Sequence, residues 1–199
     1  MREVIRLVVV LTVICGVSAG ALTLVRQSLG SRIEQQSDFY VRGPALERLF
    51  GQPSAELLDK KVSFTSDGRT YPVFYTRDGE QITGLAVEAP GPGGYGGDVV
   101  VMIGVDLRAG QMVGMEIIQH NETPGVGSQV ERPAFRKQWS GLSVSEPVQL
   151  TAQGGKIDAI SGATYSSKAV INGTNAIVEL LGRHRDEIMA SIRTKEGQS

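Results

Sequence analysis

The run from Asp158 to Ser167, DAISGATYSS, gathers residue types that can hold an anion. Ser161, Gly162 and Ala163 are small and precede a segment with helical spacing. Backbone N–H groups at the start of that helix therefore stay accessible. Ser161, Thr164, Ser166 and Ser167 add hydroxyls around the same end. Free donors and a favourable helix dipole suit a phosphate best. A plain Ser or Thr cap on a glycine-containing turn accounts for the same residues. Lys156, just upstream, is either a neutralising charge for the anion or an ordinary solvated lysine.

Two more segments are rich in chemistry-bearing residues. HNETPGVGS, from His120 to Ser128, cannot be regular structure. His120 and Glu122 do not make a zinc site, because they stand at i and i+2 with no third histidine nearby. Side-chain–backbone bonds holding the loop are the plainer reading of both. APGPGGYGG, from Ala89 to Gly97, reads as a glycine-rich loop. Tyr95 there is an aromatic plug, or the glycines let backbone approach a planar ligand.

Composition removes several classes. Cys15 is the only cysteine, which excludes an intrachain disulfide, a four-cysteine zinc site and a cysteine-ligated iron–sulfur cluster. The second histidine, His184, sits between Arg183 and Arg185 and reads as solvated surface. Twenty basic against 21 acidic residues give a net charge of −1, so no basic face for a nucleic acid is implied. No metal site is expected.

The elements that must position these residues follow from periodicity. Leu7 to Val25 is a 19-residue uncharged stretch, rising about 28 Å as a helix, enough to span a bilayer core. A cleaved signal peptide ending near Ala19-Gly20-Ala21 is the rival reading. Cys15 reads as a buried membrane cysteine rather than a lipidated one. Ser28 to Tyr40, with Leu29, Ile33 and Phe39, reads as a helical stalk that Gly43-Pro44 breaks. Ala45–Phe50 adds a turn or two. From Lys61 to Gln119 the period becomes 2, with a hairpin turn at Asp78-Gly79. Asp98–Asp106, nearly all apolar, reads as a central strand buried on both faces. Pro133–Trp139 is a short helix with Trp139 in the core, and Val148–Leu150 a short strand. A helix from about Thr164 to Leu181 presents Val170, Gly173, Ile177 and Leu180 on one face. The expected fold is α+β, an antiparallel sheet packed with helices and preceded by one transmembrane helix. The expected organisation is a short N-terminus (1–6), anchor (7–25), helical connector (26–60), ligand-binding domain (61–182) and charged tail (183–199).

Asp158, Ser161, Gly162, Ala163 and Thr164 resemble the flavinylation motif Asp-x-x-(Ser/Thr)-Gly-Ala-(Thr/Ser) of the FMN-binding domain family. His120 to Gly127 resembles a His-x-Glu-Thr-Pro-Gly-Leu-Gly loop, with Val126 where leucine is usual. Gly94 to Gly97 resembles a Gly-Tyr-Gly-Gly loop. Both loops occur in flavoprotein subunits of the Rnf and Na⁺-pumping NADH:quinone (Nqr) complexes. Chain length favours the G subunits of Rnf over the C subunits of Nqr. The resemblance implies FMN joined through its phosphate to Thr164 by a separate flavin transferase. It implies Ser161, Gly162, Ala163, Asp158, Glu122, Thr123, Val126 and Tyr95 around that flavin. Glu122 and Thr123 would hydrogen-bond it, and Val126 would pack on its ring. It further implies electron transfer in a ferredoxin:NAD⁺ complex of the bacterial inner membrane, the flavin domain lying on the periplasmic side among other subunits and lipid. An exported module holding a flavin or phosphate noncovalently, and an assembly subunit with a vestigial motif, are the alternatives.

Overall fold

Alternation of apolar and polar residues from Lys61 onward builds a five-stranded meander in the computed structural model of the chain. The structure describes residues 1–197 and the side chains of all of these except 31–35. The strands are β1 (Lys61–Ser66), β2 (Arg69–Asp78), β3 (Gln81–Gly94), β4 (Gly97–Asp106) and β5 (Gln111–Gln119). Each pairs antiparallel with the next, in the order β1-β2-β3-β4-β5. Asp67 and Gly68 both take positive φ, which the tight β1–β2 turn requires. The Asp78-Gly79 turn expected from sequence joins β2 to β3.

The chain divides into two compact units, Met1–Tyr40 and Val41–Ser199. The first is helix α1 (Arg2–Ser37), leading into a wide π turn over Asp38–Arg42. Arg2–Gly30 is long and apolar enough to cross a membrane. Thr12 and Thr23 turn their hydroxyls back onto the carbonyls of Val8 and Ala19, so these polar groups are satisfied within the helix. Leu29 and Phe39 are exposed, and the Ile33 side chain lies outside the described residues.

In the second unit both faces of the sheet are covered. A row of Val62, Val73, Val87, Ile103 and Met115 crosses all five strands on one face. It packs under helix α5 (Thr164–Glu196), which contributes Ala169, Val170, Ile177 and Leu180. The opposite row, Phe74, Ala86, Gly104 and Gly114, lies under α2 (Gly43–Phe50) and α3 (Ser54–Asp59). Leu49 fills the space that Gly104 and Gly114 leave. This two-sided burial is why Asp98–Asp106 lacks alternation. Trp139 is fully buried, and its Nε1–H donates to Thr174 Oγ1 at 2.9 Å.

Four sequence expectations change. The glycine-rich stretch 89–97 is not a long loop: β3 runs to Gly94 and β4 starts at Gly97, leaving a turn at Tyr95 and Gly96. Val148–Leu150 is not a strand but contributes one isolated bridge, Leu150 to Ile157. The segment 183–199, read as a charged tail, is helical through Glu196, because Ile188 and Ile192 complete the apolar face of α5. His184 marks a break in that helix, at φ −126°, ψ 19°. Its ring is half-buried against Phe64 and bonds to Ser66 and Glu187, so it is not simply solvated.

Candidate functional site

The far end of β3 meets the start of α5. Asn172 Nδ2 donates to the Pro92 carbonyl at 2.8 Å, tying the helix to the strand just before the Tyr95–Gly96 turn. A hydroxyl secures the approach to the helix from the other side. Ser167 Oγ donates to the Ala163 carbonyl and accepts from the Ile160 N–H, both at 3.0 Å. Gly162 turns the chain with φ +77°, which a residue with a Cβ rarely adopts.

No side chain caps α5. Ala163 occupies the N-cap position, and neither Ser161 nor Thr164 closes the cap. The Ser/Thr-cap reading of the motif is therefore not what the backbone does. The amides of Thr164, Tyr165 and Ser166 begin the helix without side-chain acceptors. Thr164 itself is exposed at the first helical position.

The loop after β5 folds over this helix end. Its own groups close it: the Val126 and Ser128 amides both donate to the Thr123 carbonyl at 3.2 Å. Gln129 Nε2 reaches the Gly125 carbonyl at 2.7 Å. His120 braces the loop rather than facing a ligand. Its Nδ1 accepts from the Glu122 N–H at 3.0 Å, and its Nε2 lies 3.1 Å from Glu131 Oε1. A 3-10 turn (Gly127–Glu131) then leads to the short helix α4 (Pro133–Arg136).

These pieces enclose a cleft of about 250 Å³, lined by Tyr95, Glu122, Thr123, Val126, Gly127, Gly162, Ala163, Tyr165 and Ser166. Six residues singled out by sequence thus converge: Tyr95, Glu122, Thr123, Val126, Gly162 and Ala163. Ser161 and Thr164 stand beside them in the chain. Asp158 does not line the cleft; Gln138 clamps its backbone N–H and C=O at 2.7 and 3.3 Å. Lys156 lines a different groove, with Glu146 and Pro147. Tyr165 and Ser166 belong to the quoted run, but sequence alone does not put them on the cleft. The signal available is helical phase: Ser166 shares the inner face with Ala169, Val170 and Gly173.

The lining suits a flat ligand with an anionic tail. Tyr95, Val126 and Tyr165 are 80%, 44% and 69% exposed. Among the described residues of the second unit, they are the only exposed large hydrophobic side chains. The volume is below the roughly 300–1,000 Å³ of pockets that engulf a ligand, so the cleft is a shallow face rather than an enclosed cavity. The uncapped helix end leaves backbone donors of the kind that suit an anion. Among the described residues, no cluster of metal-ligating side chains occurs.

Residues 94–179 match the FMN-binding domain family. That span starts at the end of β3 and finishes within α5, so it contains every residue lining the cleft. This stretch of the chain is thus similar to FMN-binding domains. It is similar to the G subunit of the ion-translocating oxidoreductase complex of Methanosarcina acetivorans, 27% identical over 185 residues, covering 89% of this chain and 94% of that one. The corresponding protein of Pseudomonas aeruginosa is 26% identical over 203 residues, covering 95% and 94%. Other G subunits match over a shorter stretch: the chain spans 52% of the Haemophilus influenzae protein, at 33% identity. The crystal structure of Shewanella oneidensis NqrC has the same fold, with a TM-score of 0.52, 21% identity, and coverage of 67% of this chain and 70% of that one.

Proposed function

We propose that this chain is an electron-carrying flavoprotein component of a membrane-bound, ion-translocating ferredoxin:NAD⁺ oxidoreductase of the Rnf type. FMN is attached through its phosphate to the Thr164 hydroxyl. The observation that carries this reading is the convergence on one cleft of the exposed Tyr95, Val126 and Tyr165, next to an uncapped helix end bearing an exposed threonine. Similarity to G subunits along nearly the whole chain supports the assignment to a complex.

When bound, the flavin supplies the redox chemistry, and the protein supplies position and electrostatics. The amides opening α5 and the helix dipole stabilise the phosphodiester charge. A threonine hydroxyl is a poor nucleophile unaided, so attachment needs a flavin transferase that moves the FMN half of FAD onto the exposed Thr164 side chain, with AMP as the leaving group and the hydroxyl proton released. Tyr95, Val126 and Tyr165 shield the ring. In this reading α1 anchors the chain in the bacterial inner membrane as a single pass, with the flavin domain on the periplasmic side and other subunits around it.

Intact mass of the full chain, coexpressed with a flavin transferase, tests the proposal. The expected result is one FMN adduct, less water, that survives urea and is absent from Thr164→Val. Flavin that dialyses away in urea, or an adduct persisting in Thr164→Val, overturns it.

A further inference from the structure

Glu122 is 5% exposed, and two donors from different segments converge on its carboxylate. The Gly96 N–H, from the β3–β4 turn, donates to Oε1 at 3.0 Å. Ser166 Oγ, from the first turn of α5, donates to Oε2 at 2.5 Å. One side chain thus links all three segments that form the cleft.

The surrounding glycines make room for it. A Cβ on Gly94 would overlap Glu122 Oε1 and the Gly97 carbonyl oxygen. A Cβ on Gly127 would overlap Glu122 Oε2 and crowd Ser166 Oγ. A Cβ on Gly96 would overlap the carbonyl of Asn121, the residue before Glu122. Glycine at these three positions is explained by the approach of protein to protein. No planar ligand is needed to account for them.

We propose that Glu122 is a positioning residue, a clasp that assembles the cleft before any cofactor is attached. It acts through Ser166 and Gly96 rather than by touching the cofactor. Its role toward a flavin rests on the function proposed above; the clasp itself does not. Geometry, not charge, is what it contributes. A glutamine at this position can accept from the Gly96 N–H with its oxygen and donate to Ser166 Oγ with its amide, the hydroxyl rotating to receive it.

The test uses the full-length chain in detergent micelles on a Thr164→Val background, where no covalent flavin is present. Hydrogen–deuterium exchange is followed at Gly96 and across the β4 strand. Glu122→Ala is expected to speed exchange at Gly96 about tenfold, the effect of about one net hydrogen bond, while β4 stays protected. Glu122→Gln is expected to restore slow exchange. Gly127→Ala, which pushes the carboxylate out of place, is expected to resemble Glu122→Ala while Trp139 emission stays unchanged. In the Thr164 protein with transferase, the flavinylated fraction is expected to fall in Glu122→Ala and recover in Glu122→Gln. Unchanged Gly96 exchange in Glu122→Ala, or Glu122→Gln as fast as Glu122→Ala, overturns the clasp. A Thr164 protein that never takes FMN overturns the flavin reading instead, and the exchange data still decide the clasp.

Discussion

Gly91 on β3 and Gly173 on α5 meet backbone to backbone: a Cβ on Gly173 would stand 3.2 Å from Gly91 Cα and 2.7 Å from Val101 Cγ2. This crossing lets the first turns of α5 settle onto the strand that ends in the Tyr95 turn. Gly173→Ala gains about 0.8–1 kcal/mol of helix propensity and loses about 1–3 kcal/mol to overpacking. The expected net effect is destabilising. Gly91→Ala is expected to cost more, since its Cβ would overlap the Ala169 carbonyl oxygen, a backbone atom that cannot rotate away. Urea unfolding followed by the emission of Trp139 measures both. A Gly91→Ala protein as stable as the parent would mean that α5 is not held this closely.

The sheet's other face carries a buried charge cluster. Glu116 on β5 receives Arg48 Nε from α2 at 2.9 Å on Oε2 and Arg136 from α4 on Oε1. Arg136 Nε is buried without a hydrogen-bond partner. Glu116→Leu would leave two guanidiniums facing an apolar side chain. Removing one member of a buried pair costs about 3–5 kcal/mol. The exposure of Arg48 lets it turn to solvent, so a value near the lower end is expected. Calorimetric melting reads the change, and an unshifted melt would show that Arg48 and Arg136 need no counter-ion.

Asp106 ends β4 and caps the turn into β5. Its Oδ1 accepts from the Ala109 N–H at 3.1 Å and the Arg108 N–H at 2.7 Å. These two bonds, Ala109 first, hold its carboxyl below the ordinary carboxylate value. A folded-state value below the unfolded one adds stability at higher pH, and that stability is lost as pH falls through the folded value. Asp106→Asn keeps an acceptor but no charge. It is expected to be less stable than the parent at neutral pH, with the gap closing below roughly pH 4. A gap independent of pH would mean the bonds do not favour the ionised form.

The parts most legible in sequence are those with a period or a motif. Alternation places the strands, and the continuous apolar run of β4 announces a strand covered on both faces. The spacing of Val170, Gly173 and Ile177 gives the inner face of α5. Much of the remainder depends on contacts between residues far apart in the chain. Glu88 reads as one polar residue in an apolar strand until Arg42 is found against it, 46 positions upstream. Glu116 is equally silent without Arg48 and Arg136. The C-terminal half of α5 reads as a solvated tail because its charges outnumber Ile188 and Ile192, although those two suffice to bury it. At the cleft, sequence assembles the residues but not the reason for the glycines. Three of them fit around Glu122 and its loop, a relation that no local pattern encodes.

Tyr165 follows Thr164 directly and stands exposed on the same cleft as Tyr95 and Val126. Its aromatic face is the apolar surface nearest in sequence to the proposed attachment point. Its contribution separates from the covalent bond when FMN is titrated into the full-length Thr164→Val protein. Losing an aromatic contact with the ring costs about 1–1.5 kcal/mol, or roughly a tenfold weaker affinity. Tyr165→Ser is expected to show this drop, and Tyr165→Phe to keep the affinity. The phenylalanine variant is also expected to raise the fluorescence of bound flavin, because the phenol is the quenching group. Val126→Ser is expected to weaken binding by a smaller factor, in line with its smaller exposed area. Equal affinities for Tyr165→Ser and the parent, with unchanged fluorescence, would place the ring elsewhere than on this face of the cleft.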